Sequence, residues 1–493
     1  MRTVGRSGFL AVLGTAASTF VALALVAAAG GTPVDRHLDA AALVAGRCPP
    51  RQTSAVIAGR RTCLYVGKRC RTAQDRLYHR YGFHCVSGRL ARRHPAPPPV
   101  EHAIGVRVVG GNGEFFIRKT GEKFVPRGAT YLRRGTVVLT DGSSSFRENT
   151  FVVGVYDATR AENALTQMQT RGYNTVKILI DQGCQDGCSG SRGTRDGLNA
   201  AYIANVVDFL KRAKTRDLYV DIAAENVPAN SRYDADLHSA DPNVFGGRNG
   251  VFLSQEGVRA SASFWEALVR ALKTRGAPLD TIRAFEIAEE AWYQAQYPPL
   301  SLSSGKVTTA NGMSYDMASG EDTLRMLDDG FVYYADTVRA AIKAVDPTAL
   351  VGMGFFPPQR PNRWLNDGRF LLTGGVIQRS TLDWLDLHHY PGIPSLTFEQ
   401  AMQNFGLPPG TPKPVVMGEY GAFKFAFPTS QQAVQGLADW DRKSCAYGYD
   451  GWLLWTWDTD EGLPGEPPLW NAMTDGGAVA QGMSPKSRPD PCA

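Results

Sequence analysis

From residue 104 onward, the chain alternates between short runs of β-branched or aromatic residues and longer stretches with apolar residues at three- and four-residue spacing. The short runs predict strands, and the longer stretches predict amphipathic helices. Helices are expected at 198–216, 263–276 and 330–345. The predicted strands are 124–132, 174–180, 218–224, 282–288, 350–356, 382–390, 414–421 and 451–458.

Strands that alternate with helices form parallel sheets, and eight such units close into a (β/α)₈ TIM barrel. The barrel is predicted over residues 104–480, followed by a tail at 481–493. A doubly wound open sheet is the alternative, but no glycine-rich phosphate loop follows the first predicted strand. Instead, the GGNG sequence at 110–113 precedes a strand and predicts a hairpin, with a second turn at 119–121.

The N-terminal residues have the pattern of an export signal. Arg2 and Arg6 precede an apolar stretch from Phe9 to Ala29, which ends in small residues suited to cleavage. At ~1.5 Å per residue, this stretch is also long enough to span a bilayer as an uncleaved signal anchor. Whether residues 1–29 are a signal peptide or an anchor, the protein is predicted to be secreted or held outside the cytoplasmic membrane.

The chain contains eight cysteines in even groups, which favour disulfides in an exported protein. A small module is predicted at 46–93, where four cysteines admit three pairings and are needed as staples because so short a segment has little core. Zinc binding is the alternative, but the spacing is irregular and lacks C-x₂-C. A proline-rich linker follows at 94–101. The groups are Cys48, Cys63, Cys70 and Cys85, then Cys184 with Cys188, then Cys445 with Cys492.

The net charge of +6 is concentrated before residue 95. A solvated basic surface accounts for this excess, and so does contact with an acidic polymer or the cell surface. The module's sequence CLYVGKRC…LYHRYGFHC resembles a short cysteine-containing module of exported actinobacterial proteins. The remaining composition, 43% hydrophobic and 20% charged, is that of a globular protein with a large core.

Polar side chains occur where the predicted barrel strands end, which is where such barrels place their functional groups. Taken alone, a glutamate there is more often a solvated loop charge, and a tryptophan is more often part of the core. Together they suit retaining glycoside hydrolysis, which needs an acid and a nucleophile ~5–5.5 Å apart with pKa values driven in opposite directions. The strand-end residues are Glu289, Glu290, His388, His389, Tyr390, Glu419, Trp455 and Trp457.

In this order of glutamate, H-x-Y, glutamate and tryptophan, residues 104–480 resemble the retaining glycoside hydrolases of the cellulase superfamily, family 5 in particular. The resemblance implies that Glu290 is the acid/base and Glu419 the nucleophile. It places His388 and Tyr390 beside the nucleophile, and it makes Trp455 the sugar-stacking residue ahead of Trp457. The expected substrate is a β-linked oligosaccharide, polysaccharide or glycoconjugate, and no nucleic acid is expected to bind.

Three positions depart from the family pattern. Glu289 replaces an asparagine that contacts the substrate 2-hydroxyl, and it should raise the pKa of Glu290. Lys177 replaces an arginine, which keeps the charge but not the bidentate fork. The third strand lacks the usual histidine near Glu225 and Asn226. These departures leave open a barrel that binds glycans or cell-wall polymer without hydrolysis.

No metal or other cofactor is expected. His388 and His389 are adjacent, so their side chains should point to opposite faces of a strand. The sequence also repeats no histidine at the spacing of metal ligands.

Overall fold

The computed structural model describes residues 48, 52–92, 102–138, 144–180, 193–195, 197–224, 226–356, 369–392, 397–457 and 468–492. The chain divides into two compact units, residues 1–96 and 97–493. The predicted export signal, the proline-rich linker, Glu225 and the pair Cys184 and Cys188 lie outside the described residues. Among the helices that are described, none combines the length and apolar composition needed to cross a bilayer.

The first unit is a small disulfide-stapled fold, as predicted. Disulfides join Cys48 to Cys63 and Cys70 to Cys85, so the four sulfurs are bonded to one another rather than available to zinc. Its core is a small hydrophobic cluster, which includes the fully buried Leu64. The unit has two antiparallel hairpins, Thr53–Ile57 with Arg60–Leu64 and Phe83–Val86 with Arg89–Arg92, a 3₁₀ turn at Thr72–Gln74 and a short helix at Asp75–His79.

Eight parallel strands form a closed barrel in the second unit, which confirms the predicted (β/α)₈ fold. The fifth strand is interrupted at Met353, and its two segments pair with the fourth and sixth strands. The eighth strand pairs with the first and closes the barrel. The strands are β1 (Arg127–Tyr131), β2 (Thr175–Leu179), β3 (Tyr219–Ala223), β4 (Ile282–Glu286), β5 (Val351–Gly352 and Gly354–Phe355), β6 (Leu385–Leu387), β7 (Val415–Tyr420) and β8 (Tyr449–Leu454).

A helix follows each strand. The helices are α1 (Ala158–Thr170), α2 (Ala200–Lys214), α3 (Gln255–Thr274), α4 (Gly320–Val345), α5 (Gly374–Arg379), α6 (Phe398–Phe405), α7 (Ser430–Ser444) and α8 (Thr474–Gly482). Both α3 and α4 begin earlier than predicted. Each is preceded by a capping serine, Ser254 or Ser319, whose side chain accepts a hydrogen bond from a backbone N–H of the first turn.

The loops after the strands carry further short elements, which build up the C-terminal end of the barrel. Two are helices, Arg232–Leu237 and Asn249–Leu253. Five are antiparallel strand pairs: Arg134–Val138 with Ser144–Glu148, Gly193–Thr194 with Gly197–Leu198, Tyr293–Gln294 with Arg369–Phe370, Lys306–Thr308 with Ser314–Asp316, and Ala422–Phe423 with Leu469–Trp470. Two 3₁₀ turns, Leu279–Thr281 and Cys445–Tyr447, precede β4 and β8.

The opposite end of the barrel is closed by the predicted hairpin. It is a three-stranded antiparallel sheet of Ile104–Val109, Asn112–Ile117 and Lys123–Phe124. Phe115 of this sheet packs in one buried cluster with Trp384. Between them, Arg283 stacks on both rings at about 4.5 Å and forms a fully buried ion pair with Asp221. Arg283 and Asp221 therefore form a charged layer inside the barrel, next to its closed end.

The C-terminal segment is attached by the third disulfide. Cys445, directly after α7, is bonded to Cys492, the pairing expected from the sequence. The buried Arg127 at the start of β1 donates hydrogen bonds to the backbone oxygens of Met483 and Arg488. The disulfide and the hydrogen bonds from Arg127 thus help to hold the tail to the barrel.

Asp441 on the buried face of α7 should make stability fall as the pH rises. Burial raises the pKa of its carboxyl to about 7, although Arg127 lowers it in part. Because the unfolded chain releases this proton near pH ~3.9, the free energy of unfolding decreases between the two values. Asp441→Asn removes this titration, so its stability relative to the wild type should improve by roughly 2–3 kcal/mol from pH 5 to pH 8 in urea denaturation. An equal gain in Asp439→Asn, on the same helix and partly exposed, would contradict this account.

Candidate active site

Four polar side chains meet at the C-terminal end of the barrel. Glu289 and Glu290 lie just beyond β4, His388 follows β6, and Glu419 lies in β7. One oxygen or ring nitrogen from each of the four lies within 4.8 Å of the others. The two carboxyl groups singled out from the sequence, those of Glu290 and Glu419, therefore face one another in one cleft.

His388 and Tyr390 connect the two carboxyl groups. Nδ1 of His388 lies 2.8 Å from Oε1 of Glu290 and 3.6 Å from Oε2 of Glu419. The hydroxyl of Tyr390 donates a hydrogen bond to Oε1 of Glu419. Both residues come from the end of β6, between the strands that carry the two glutamates, so the H-x-Y spacing positions each carboxyl group.

A buried ionic cluster lies directly beneath this pair. The ammonium group of Lys177 lies 2.9 Å from Glu286, 3.0 Å from Asp386 and 3.3 Å from Nε2 of His388, and none of these side chains is exposed. Glu289 is farther away, with 3.8 Å between its carboxyl oxygen and the same ammonium group. Lys177 therefore supports the site from below and does not contact Glu419 as closely as it contacts these two acids.

Sequence reasoning missed Glu286 and Asp386. Their signal was a single acidic residue inside each of two apolar strands, FEI and LDL, where a charge has to point into the barrel and find a partner. Two glycines make room for them. A Cβ atom at Gly418 would lie 2.1 Å from the carboxyl oxygens of Asp386, and one at Gly354 would lie 2.3 Å from Glu286.

The environment separates the protonation states of the carboxyl groups. Burial raises the pKa of Glu290, the hydrogen bond to His388 lowers it, and the charge of Glu419 raises it again, so that the net shift is upward. Burial also raises the pKa of Glu289 well above its ordinary value, and the charges of Glu290 and Glu419 add to this. Glu289 and Glu290 therefore hold protons to higher pH than exposed glutamates do.

In the ionic cluster beneath the pair, the pKa of Asp386 is lowered. Burial raises this pKa, but the positive charges of Lys177 and His388 lower it by more than burial raises it, so the carboxyl stays ionised. Burial lowers the pKa of His388, but the carboxylates of Glu419 and Asp386 raise it well above its ordinary value. Burial raises the pKa of Glu286 well above its ordinary value although Lys177 opposes this. The lysine and the histidine thus supply positive charge beneath the two facing carboxyls.

The two tryptophans at the end of β8 have different environments. Trp455 retains a small exposed fraction, and the guanidinium of Arg134 lies 5.5 Å from its ring centre. Trp457 is fully buried, with its ring edge-on to Tyr173. Trp455 therefore suits contact with a ligand, whereas Trp457 belongs to the core.

Two arginines near Glu290 were not predicted from the sequence. Arg248 donates a hydrogen bond to the backbone oxygen of Glu290 at 2.8 Å and stacks on Trp292 at 4.9 Å. Arg369 lies over the same ring at 5.5 Å, and Asn226, which follows β3, accepts a hydrogen bond from Arg248 at 3.4 Å. Arg248 precedes the short helix Asn249–Leu253, and Arg369 begins the two-residue strand Arg369–Phe370. Elements this short lie in the connections between barrel strands, where no hydrophobic period marks a position as part of a site.

Within the part of the chain that the structure describes, the groups with the geometry to hold a metal ion are the same ones. One set is Glu289, Glu290, His388 and Glu419, and the other is Glu286, Asp386 and His388. In the second set the ammonium of Lys177 already contacts both acids. The first set contains the two facing carboxyl groups and is the part of the cleft suited to acid–base and nucleophilic chemistry.

Comparisons with known proteins bear on the fold. No family model matches the chain, and no curated protein matches its sequence. Among solved structures, the endo-1,4-β-mannanase of Rhizomucor miehei aligns with a TM-score of 0.54 at 14% identity, over 78% of this chain and 100% of that one. The β-mannanase of the blue mussel Mytilus edulis aligns with a TM-score of 0.46 at 18% identity, over 79% and 98%. At 14% identity, the likeness to the Rhizomucor miehei structure shows a shared barrel fold.

Proposed function

We propose that the protein is a retaining β-glycoside hydrolase, with Glu290 as acid/base and Glu419 as nucleophile. The observation that carries this proposal is the pair itself, since oxygens of the two carboxyl groups lie within 4.8 Å of one another. Retaining enzymes hold their carboxyl groups ~5–5.5 Å apart, whereas inverting enzymes leave ~6.5–9.5 Å for a water molecule. The close approach of Glu290 and Glu419 favours the retaining mechanism.

In the first step, Glu419 attacks the anomeric carbon while Glu290 gives its proton to the departing glycosidic oxygen. The C–O bond to the leaving group breaks, and a glycosyl ester of Glu419 forms. In the second step, Glu290 removes a proton from water, which displaces Glu419 and regenerates both groups. Tyr390 orients the attacking oxygen, and His388 provides positive charge between the two carboxyls.

We propose a β-linked oligosaccharide, polysaccharide or glycoconjugate as the substrate. Support comes from Trp455 as an apolar surface for a sugar ring and from the similarity to the Rhizomucor miehei structure, an endo-1,4-β-mannanase. A protonated Glu289 offers one hydroxyl donor and one carbonyl acceptor, the same pair that an asparagine amide would offer a sugar hydroxyl. The predicted export signal places this activity outside the cytoplasm.

A barrel that binds glycans without cleaving them is the alternative. The departures of Glu289 and Lys177 from the family pattern are the features that would favour it. Neither side chain disrupts the facing pair, because Lys177 is neutralised by buried acids and burial raises the pKa of Glu289, which reduces its negative charge beside the pair. This arrangement favours the enzyme.

Glu290→Ala tests the acid/base assignment. We expect its rate on β-glycosides with poor leaving groups to fall by about 10²–10⁴-fold, because such leaving groups need the proton. Aryl β-glycosides with activated leaving groups should lose far less in the bond-breaking step. The measurement is kcat/KM across a series of aryl β-glycosides ordered by the pKa of the leaving phenol.

The matched control is Glu289→Gln, a change at the neighbouring residue. It should alter KM or the acid limb of the pH profile and keep the wild-type dependence on the leaving group. A steep dependence in Glu289→Gln together with a flat one in Glu290→Ala would reverse the two assignments. Absence of turnover in the wild type on every β-glycoside, combined with glycan binding, would support the binding protein instead.

A further inference from the structure

The N-terminal unit concentrates positive charge in a way that the rest of the chain does not. Residues 47–93 contain twelve arginines and lysines and one acidic residue, Asp75. Residues 94–493 contain 38 basic and 44 acidic residues, so the barrel unit carries the opposite net charge. The module is therefore positively charged, whereas the barrel unit is negatively charged. The chemistry of the cleft does not account for the positive charge of the module.

The cations of this module are exposed and are not neutralised locally. Within residues 52–92 the exposed arginines are Arg60, Arg61, Arg69, Arg71, Arg76, Arg80, Arg89 and Arg92. The only carboxylate in this range, Asp75, pairs with His79 at 2.8 Å and also accepts a hydrogen bond from the backbone of Cys85. Among the residues that the structure describes, none of the eight guanidinium groups forms an ion pair with a carboxylate.

The fold brings two of these cations together. Arg69 and Arg89 face each other across an isolated antiparallel bridge. Hydrogen bonds from Leu90 to Lys68 and from Cys70 to Gly88 hold the two segments in register. The Cys70–Cys85 disulfide adds a covalent link. Like charges directly opposite each other destabilise a strand pair, so this arrangement opposes folding stability and suits an anionic ligand.

From these observations we infer that the N-terminal unit is a binding module for a polysaccharide that carries carboxylate groups. Arginine, which supplies eight of the nine cations in 52–92, matches a carboxylate with two parallel hydrogen bonds. A polymer engages several exposed cations at once and gains affinity from the second and later contacts. The rigid, disulfide-stapled scaffold reduces the entropy lost when the cations bind.

The other anionic partners fit the module less well. Within residues 52–92 the one α-helix, Asp75–His79, has five residues and is too short to lie on a membrane as an amphipathic helix or to enter a nucleic-acid groove. Its exposed apolar residues are Val56, Tyr65, Val66 and Val86. The choice of a polysaccharide rests in part on the proposed function of the barrel, because both units of one exported chain would then act on glycans.

The test uses the full-length chain and soluble polygalacturonate, with binding measured by calorimetry. Polygalacturonate is α-linked, so a β-glycosidase would not consume it during the measurement. We expect saturable binding that weakens about tenfold between 50 and 300 mM NaCl, as screening of exposed charges requires. The triple variant Arg69→Gln/Arg71→Gln/Arg89→Gln should bind at least about tenfold more weakly than the wild type.

Two further variants keep the test decisive. Arg69→Lys/Arg71→Lys/Arg89→Lys keeps the charge and should retain part of the affinity that the glutamine variant loses. Arg259→Gln/Arg275→Gln removes two exposed cations of the barrel unit and should leave the affinity unchanged. Equal weakening by the barrel variant, no binding by the wild type, or tighter binding to anionic phospholipid vesicles or duplex DNA would overturn the inference.

The outcome can be separated from that of the proposed function. Loss of polygalacturonate binding in the module variants should leave hydrolysis of a small aryl β-glycoside at the wild-type rate. Conversely, Glu419→Ala should bind polygalacturonate as the wild type does. A chain that binds the polymer and hydrolyses nothing would support the module and refute the enzyme.

Discussion

Glu419→Ala is expected to reduce kcat for an aryl β-glycoside by about 10⁴-fold or more, because no other group is positioned to form the glycosyl ester. Removal of the side chain leaves a space beside the anomeric carbon. Sodium azide should enter this space and attack directly, so that it restores part of the rate and yields an α-glycosyl azide. The measurements are the release of the phenol and the anomeric configuration of the azide product.

The control for this prediction is Glu399→Ala, which removes an exposed glutamate of α6 away from the cleft. Its rate should match that of the wild type within about twofold, since surface substitutions have small effects. Unchanged activity in Glu419→Ala would remove this residue from the mechanism. An azide product of β configuration would assign the opposite face of the sugar to the nucleophile.

Lys177→Met should destabilise the fold by about 3–5 kcal/mol at pH 7, because it leaves a buried carboxylate without its cation. Lys177 and His388 hold the pKa of Asp386 low, and this contribution to stability is present above the ordinary aspartate pKa of ~3.9. It is lost only as the pH falls below that value and the carboxyl becomes protonated. The deficit of the variant should therefore persist from pH 7 to about pH 4 and shrink below it, as measured by urea denaturation.

Two further variants test the origin of this effect. The double variant Lys177→Met/Asp386→Asn should lose less stability than the sum of the two single variants, because neither charge is then left unpaired. Lys214→Met removes a cation from an exposed pair with Asp280 and should cost at most about 1 kcal/mol. An additive double variant, or a deficit of the same size in Lys214→Met, would show that Lys177 fills space and does not neutralise the cluster.

The sequence by itself determined the barrel and the positions of its two facing carboxyl groups. Alternation of β-branched runs with amphipathic stretches is a local property. Seven of the eight predicted runs contain a barrel strand, and the eighth strand, Tyr449–Leu454, begins two residues before its run. Parallel strands expose the same end to one surface, so residues that end strands, such as Glu290 and Glu419, could be brought together without coordinates. The even grouping of the cysteines likewise predicted disulfides.

The tertiary structure alone decided which residues are neighbours across the chain. It selected Cys48–Cys63 and Cys70–Cys85 among three possible pairings. It also placed Glu286 and Asp386 around Lys177, a contact between residues about 100 and 200 positions apart. The physical reason is that strand register and burial, which set the cost of an unpaired charge, arise only when distant strands pack into one closed barrel.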